Sequence, residues 1–264
     1  MNFMKKIISL SVLVGSFLNF CSQSTLSSQP ASWDPVVYKN SPIVFIEGNI
    51  GAGKSTLIKI LQKHLPFVVL TLEPCDEWQH VQGHNLLHTF YQNPSRWACL
   101  FQIYASMTRI RKQQKEAWLA DKVQIMERSW FSDRYCFAQM LHKAEKINDL
   151  EWAVYEQMWD WYMRNTDLPL GFIYLRVLPE ECFKRLQKRN RSEEAGVPLA
   201  YLQELHACHE HLLIDKMVDG QSIDFEVLIL DGSLNFKDDV AVQQDFVRQI
   251  LDFLKIRGNI DLTV

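Results

Sequence analysis

The chain has 264 residues, 47% of them hydrophobic and 22% charged, with a formal net charge of −3. That length suits one large α/β domain or two small ones, and a charge so near zero supplies no global field for nucleic acid or an anionic membrane. The six cysteines, Cys21, Cys75, Cys99, Cys136, Cys182 and Cys208, stand far apart without C-x-x-C or zinc-like spacing, which argues for reduced thiols in a cytoplasmic protein and against a disulfide framework.

The N-terminus points the other way. Lys5-Lys6 precedes an apolar run from Ile7 to Phe20 and then a Ser/Gln-rich tract, with no acidic residue before Asp34. This is the outline of an export or organelle leader. It is short for a membrane span, it lacks an A-x-A-like site, and Phe20 is bulky where lipid attachment at Cys21 would want a small residue. Residues 1–40 are therefore set apart from a folded domain over 41–264.

Ile43 to Glu47 is a short apolar run of the kind a buried parallel strand needs. Gly48-Asn49-Ile50-Gly51-Ala52-Gly53-Lys54-Ser55 follows and fits G-x-x-x-x-G-K-[ST], the Walker A phosphate loop. From Thr56, the spacing of Leu57, Ile60, Leu61 and Leu65 predicts a helix. Strand, loop and helix together make this a nucleotide-binding protein: backbone N–H groups and the helix start would cradle phosphates, with Lys54 on the outer phosphates and Ser55 on Mg²⁺.

Phe67 to Leu72 reads as a second strand ending at Glu73-Pro74, with Trp78 four residues beyond Pro74. Glu73 lies where open α/β sheets bind ligands, beyond a strand's carboxyl end; alone, it also reads as a solvated acid, and Trp78 as a core aromatic. A long helix runs from Asn93, its N-cap, through Pro94 to about Trp118. Gln102, Ala105 and Arg109 share one of its faces, either a pocket floor with room for a ring or an exposed polar face.

Lys122 to Met126 is a third strand, ending at Glu127-Arg128-Ser129, and the helix after it carries Asp133 and Phe137 one turn apart. A core helix, Leu150 to Arg164, is dense in Trp and Tyr, and strands follow at Gly171–Val177 and Phe225–Leu230. The alternation predicts an α/β P-loop fold, a doubly wound five-stranded parallel sheet flanked by helices. Between the last two strands, Lys184 to Arg191 holds five cations in eight residues. This is either a solvated helix face or a mobile basic lid that closes arginines over a transferring phosphoryl group.

From about Pro42 onward the chain resembles the deoxynucleoside kinase family, which includes deoxycytidine, deoxyguanosine and mitochondrial thymidine kinases and the insect multisubstrate enzyme. The resemblance rests on the phosphate loop, Glu73-Pro74-x-x-x-Trp78, Phe101-Gln102-x-Tyr104, Glu127-Arg128-Ser129 with Asp133-Arg134-Tyr135, and Arg191-Ser192-Glu193-Glu194. It implies an ATP- and Mg²⁺-dependent kinase of the deoxynucleoside 5′-hydroxyl that works as a homodimer. Glu73 resembles the base, Arg128 the residue orienting it, and Glu127 the acid that helps Ser55 hold Mg²⁺. Tyr91 and Glu194 look like the pair on the sugar 3′-hydroxyl. Gln102 would read the base edge, with Trp78, Phe101 and Phe137 packed round it. Gly48 to Thr56, the lid arginines Arg185, Arg189 and Arg191, and the Phe236 loop near the adenine would hold ATP.

Arg109 and Asp133 match an Arg/Asp pair that accompanies deoxycytidine and purine kinases in the family, although two opposite charges on neighbouring helices also read as a plain salt bridge. Ala105 leaves volume for a purine. Two rivals stay open: a nucleoside monophosphate kinase such as a thymidylate kinase, and a non-catalytic relative serving as a structural subunit.

Overall fold

The computed structural model describes residues 42–117, 122–194 and 196–258. The leader-like residues 1–40, Cys21 and Trp118 lie outside them.

Five strands form one parallel sheet: β1 (Ile43–Glu47), β2 (Val69–Thr71), β3 (Gln124–Glu127), β4 (Gly171–Arg176) and β7 (Val227–Asp231), in the order β2-β3-β1-β4-β7. β1 is central and wholly buried, which is why it reads as an unbroken apolar run. Alternation along it splits the core. Val44 and Ile46 pack with Leu57 and Leu61 of α1 (Lys54–His64) and with Ile250 and Leu254 of the last helix. Ile43 and Phe45 pack with Trp130, Phe172, Leu205 and Leu212 on the other side.

The chain leaves β1 for the edge strand β2, returns through β3 on one side of β1 and continues to β4 on the other. The switch point is therefore at the carboxyl end of β1, the place where such sheets bind ligands. α2 (Cys75–Gln79), α3 (Leu86–Gln92) and α4 (Pro94–Ala117) lie between β2 and β3. After β3, α5 is built of Trp130–Ser132, a π-helical Asp133–Ala138 and Gln139–Lys143. α6 (Asp149–Asn165) begins with a capping box between Asn148 and Glu151. α7 (Pro179–Arg189) and α8 (Leu199–Leu213) follow β4. A small hairpin, β5 (Met217–Val218) with β6 (Gln221–Ser222), precedes β7, and α9 (Val240–Gly258) closes the fold. No helix among the described residues is long and apolar enough to cross a membrane.

Some boundaries shift. The second strand begins at Val69 because Val68 N–H still bonds Leu65 C=O in the turn that ends α1. The last strand runs two residues later than expected at its start, since Phe225 turns into the core against Phe131 and Phe172. Of the two readings of the basic run, the secondary structure is the helical one: Lys184 to Arg189 form the last turns of α7, which buries Cys182 and Leu186 and stops at Asn190 in left-handed backbone.

Candidate active site

The phosphate loop bends through Gly48, Gly51 and Gly53, with φ of 146°, 82° and 105°. At Gly51 a side chain is doubly excluded, since a Cβ would also stand 2.6 Å from the Cys182 carbonyl. Gly53 N-caps α1, whose first turn has no side-chain cap and no acidic residue, so its dipole is open to an outside anion. Asn49 fixes the loop, donating to Leu202 C=O at 2.8 Å while its Oδ1 accepts Ile50 N–H at 2.8 Å. Ala52 N–H bonds back to Asn49 C=O, and Thr56 N–H to Gly53 C=O.

Lys54 is 5% exposed and donates only to the carbonyls of Gly48 and Asn49, both at 2.9 Å. Burial, reinforced by Arg128, pushes its pKa down to about 8 against the pull of Glu127 and Glu73. Among the described residues it has no ion-pair partner. A buried ammonium without a protein anion fits a phosphate ligand. Ser55 Oγ donates to Glu127 Oε1 at 2.7 Å. One hydroxyl and one carboxylate, with no larger cluster of acids or histidines among the described residues, fit Mg²⁺, which takes its remaining oxygens from phosphates and water.

Beside the loop stands a network of buried charges. Glu73, just past β2, accepts at Oε1 from Arg109 Nη2 at 3.1 Å and Arg128 Nε at 3.2 Å, and its N–H donates to Glu127 Oε2 at 3.3 Å. Burial alone would raise its carboxyl, but Arg128, Arg109 and Lys54 outweigh it and bring the pKa to about 2. Arg109 also grips Asp133 with two bonds, Nε to Oδ2 at 2.9 Å and Nη2 to Oδ1 at 3.0 Å, and donates to Glu127 C=O at 3.1 Å. The pair is thus a salt bridge that additionally supports the Glu73 carboxylate. Burial raises the Asp133 carboxyl, and Arg109 opposes that. Arg128 is buried with φ of 64°, a strained backbone for a residue with a side chain.

Gln102 is 2% exposed, and its side chain makes no hydrogen bond among the described residues. Ala105 is buried one turn on. Trp78 donates from Nε1 to Thr108 Oγ1 at 2.9 Å and meets Phe101 edge-on at 5.4 Å, while Phe90 covers one face of Phe101. Phe137 lies beneath the Arg128 guanidinium, 4.7 Å from its centroid. Tyr91 lines a cleft of about 370 Å³ with Glu193, Val197 and Tyr201; burial, with Tyr201 and Glu194 nearby, holds its phenol neutral.

On the nucleotide side, the expected residues have partners within the protein. Arg189 and Arg191, expected on ATP phosphates, are paired with Glu194, the residue expected on the sugar hydroxyl. Only Arg185 touches the loop, donating to Ala52 C=O at 3.0 Å. Phe236, expected beside the adenine, is a core residue: its ring fits under Gly53 and packs on Phe246.

Three residues not anticipated complete the site. Glu47, at the end of β1 on the face of Ile43 and Phe45, accepts both Ser129 N–H at 2.7 Å and Ser129 Oγ–H at 2.5 Å. His209 of α8 is fully buried beside Arg128. Phe90 carries no motif. For Glu47 a signal existed, an acid closing an apolar buried strand; His209 has none, since its partner is 81 residues away.

The match to known proteins covers this whole arrangement. A family model described as deoxynucleoside kinase matches residues 44–255. Deoxycytidine kinase 2 of Gallus gallus is 39% identical over 253 residues, 85% of this chain and 94% of that protein. Human deoxycytidine kinase is 36% identical over 80% of this chain and 91% of its own length. Human mitochondrial thymidine kinase 2 is 38% identical over 65% of this chain and 64% of its own. A family match that runs from the central strand into the last helix, on a sheet whose switch point carries the phosphate loop, makes this chain a member of the deoxynucleoside kinase family, a phosphotransferase.

Proposed function

We propose that the chain transfers the γ-phosphoryl group of ATP to the 5′-hydroxyl of deoxycytidine, deoxyadenosine and deoxyguanosine, giving dNMP and ADP, with thymidine a poor substrate. The observation that carries this is the Glu73 carboxylate, bonded by Arg128 and Arg109 beside Lys54, which has no ion-pair partner among the described residues. An acceptor alcohol needs a hydrogen-bond acceptor at that point, whereas an acceptor phosphate needs a cation.

Glu73 holds the hydroxyl and takes its proton, and Arg128 keeps Glu73 in place and faces the attacking oxygen. Lys54 and the loop amides stabilise the charge that spreads over the transferred group. Ser55 and Glu127 would hold Mg²⁺, which when bound neutralises phosphate charge. Gln102, with no partner of its own, offers donor and acceptor to a base edge. Asp133, anchored by Arg109, can accept from an exocyclic amine but repels the O4 of thymine. The lid ends of α7 cover the site, with Arg189 and Arg191 exchanging Glu194 for phosphate.

The free thiols of Cys75, Cys99, Cys136, Cys182 and Cys208 suit a reducing, cytoplasmic setting. The protein works as a homodimer through α4 and α6, which pack together and leave Leu100, Met107, Val154 and Trp161 exposed at seven-residue spacing. The deciding experiment is an assay of residues 41–264 with Mg-ATP and the four deoxynucleosides. Phosphorylation of dTMP but of no nucleoside would favour a monophosphate kinase, and failure to bind ATP a structural subunit.

A further inference from the structure

We infer that His209 is a positioning residue for catalysis, acting as a neutral hydrogen-bond acceptor that keeps the Arg128 guanidinium directed at Glu73. The inference rests on the reading of Glu73 and Arg128 as the residues that handle the acceptor hydroxyl.

His209 Nδ1 lies 2.7 Å from the Leu205 carbonyl, which can only accept, so Nδ1 carries the proton. Nε2 faces both Arg128 Nη1 at 3.4 Å and Glu47 Oε2 at 3.8 Å, and in the neutral ring it is a lone pair that only the guanidinium can use. The ring is enclosed: it is fully buried, parallel to Tyr174 with centroids 6.2 Å apart and edge-on to Phe137 at 6.4 Å. Burial, helped by the Arg128 charge, favours the uncharged ring and outweighs the pull of Glu47.

The surroundings of Arg128 explain why an acceptor is needed there. Its backbone is held from both sides, by its own N–H on Ile46 C=O at 2.8 Å and by Glu47 on Ser129. Its side chain reaches forward to Glu73 through Nε, at 3.2 Å, while Nη1 points back. There it has two candidates: His209 Nε2, and Glu47 Oε2 at 3.8 Å. That carboxylate oxygen has no hydrogen bond among the described residues. In a buried site a full charge attracts Arg128 more strongly than a neutral ring does. Without an acceptor at Nε2, the guanidinium would swing onto Glu47 and withdraw Nε from Glu73. His209 satisfies Nη1 where it stands, leaving the forward edge for Glu73 and the substrate oxygen.

The test uses replacements that separate the two ring nitrogens. Asparagine reproduces Nδ1 and drops Nε2; glutamine reproduces the position of Nε2 and drops Nδ1. His209→Asn should lower kcat by roughly 10-fold or more with KM for ATP within about twofold, whereas His209→Gln should stay within about threefold of the wild type in kcat. In an Arg128→Met background His209→Asn should add nothing further to the loss. Asn as active as the wild type, or Gln as impaired as Asn, would overturn the inference. Glu73→Gln run alongside separates it from the reading it rests on: full turnover there sinks the base assignment itself. Should the variants fail to fold, ¹⁵N chemical shifts of the wild-type ring decide. A proton on Nδ1 and a bare Nε2 at neutral pH are required, and a proton on Nε2 contradicts the role.

Discussion

Glu73 sits between two guanidinium groups, and their field makes it a far weaker base than an isolated carboxylate. With a pKa near 2 it cannot draw the proton from an alcohol in the ground state. A loose phosphoryl-transfer transition state does not ask for that, because the hydroxyl becomes acidic only as the new bond forms. In the proposed reaction Glu73 would therefore act first by orientation and late as proton acceptor. Glu73→Gln keeps the shape and should lower kcat by roughly 10²-fold, toward the small end of general-base effects, with ATP affinity little changed. Loss of ATP binding instead, measured by calorimetry, would assign Glu73 to the metal site. Lys54 gives the pH prediction. Its folded pKa, about 8, lies below the ordinary 10.5, so the unfolded chain binds more protons between those values and stability from this group rises with pH across that window. Phosphates reverse the burial effect and recharge the amine. ATP binding at pH 8.5 should therefore take up roughly half a proton or more, read from binding heats in buffers of different ionisation enthalpy, and Lys54→Met should abolish the uptake.

At the scale of elements, α4 and α5 meet through Arg109 and Asp133, and the same Arg109 reaches Glu73. Under the proposed roles, the pocket's selectivity and its base would be mechanically joined, which overall resemblance to either relative does not reveal: deoxycytidine and thymidine kinases match the chain at similar identity. Removing Arg109 alone would strand a buried Asp133, so the informative variant is Arg109→Met with Asp133→Ala. Its kcat should fall for every nucleoside, through lost support of Glu73. The ratio of kcat/KM for thymidine over deoxycytidine should still rise by about 10-fold or more, equivalent to 1–3 kcal/mol of discrimination. An unchanged ratio would leave the pair purely structural. On the outer faces of α4 and α6, Trp161→Glu should yield monomers by sedimentation without unfolding; an unaltered dimer would move the interface elsewhere. These helices also mark what was legible. Pro94 and Asn93 announce the start of α4, and the strand ends carrying Gly48, Glu73 and Glu127 follow from local pattern and sheet topology. The π-helical turn does not, because the residues of Asp133–Ala138 would serve an α-helix equally well. α7 is only half legible: Cys182 and Leu186 mark the buried stripe, but the cations around them suit a solvated helix face and a lid equally well. His209 and Glu47 belong to contacts across 81 and 82 residues, which no window of sequence contains.

For the molecule as a whole, the order β2-β3-β1-β4-β7 makes the first strand in sequence the middle of the sheet, and this decides what the preceding residues can do. Every group in the site, from Glu47 to His209, comes from the sheet, its loops and the helices behind it, and the family match likewise begins at residue 44. Among the described residues, the first bond tying the chain into the sheet is accepted by Pro42 C=O from Gln124 N–H at 2.8 Å, and the next by Ile43 C=O from Leu170 N–H at 2.8 Å. Removing residues 1–40 leaves both intact. It should therefore keep kcat within about twofold and shift Tm by no more than about 2 °C, which for a domain this size is under about 1 kcal/mol. Removing four residues more deletes Pro42, Ile43 and Val44. Ile43 and Val44 are buried on opposite faces of the central strand, and their loss should cost about 2–5 kcal/mol for each large side chain in addition to the ladder bonds. A thermal melt and an activity assay on the two truncations distinguish an address from a structural part. If the shorter deletion already lowers Tm markedly, residues 1–40 pack on the kinase domain, and the central strand is not where the fold begins.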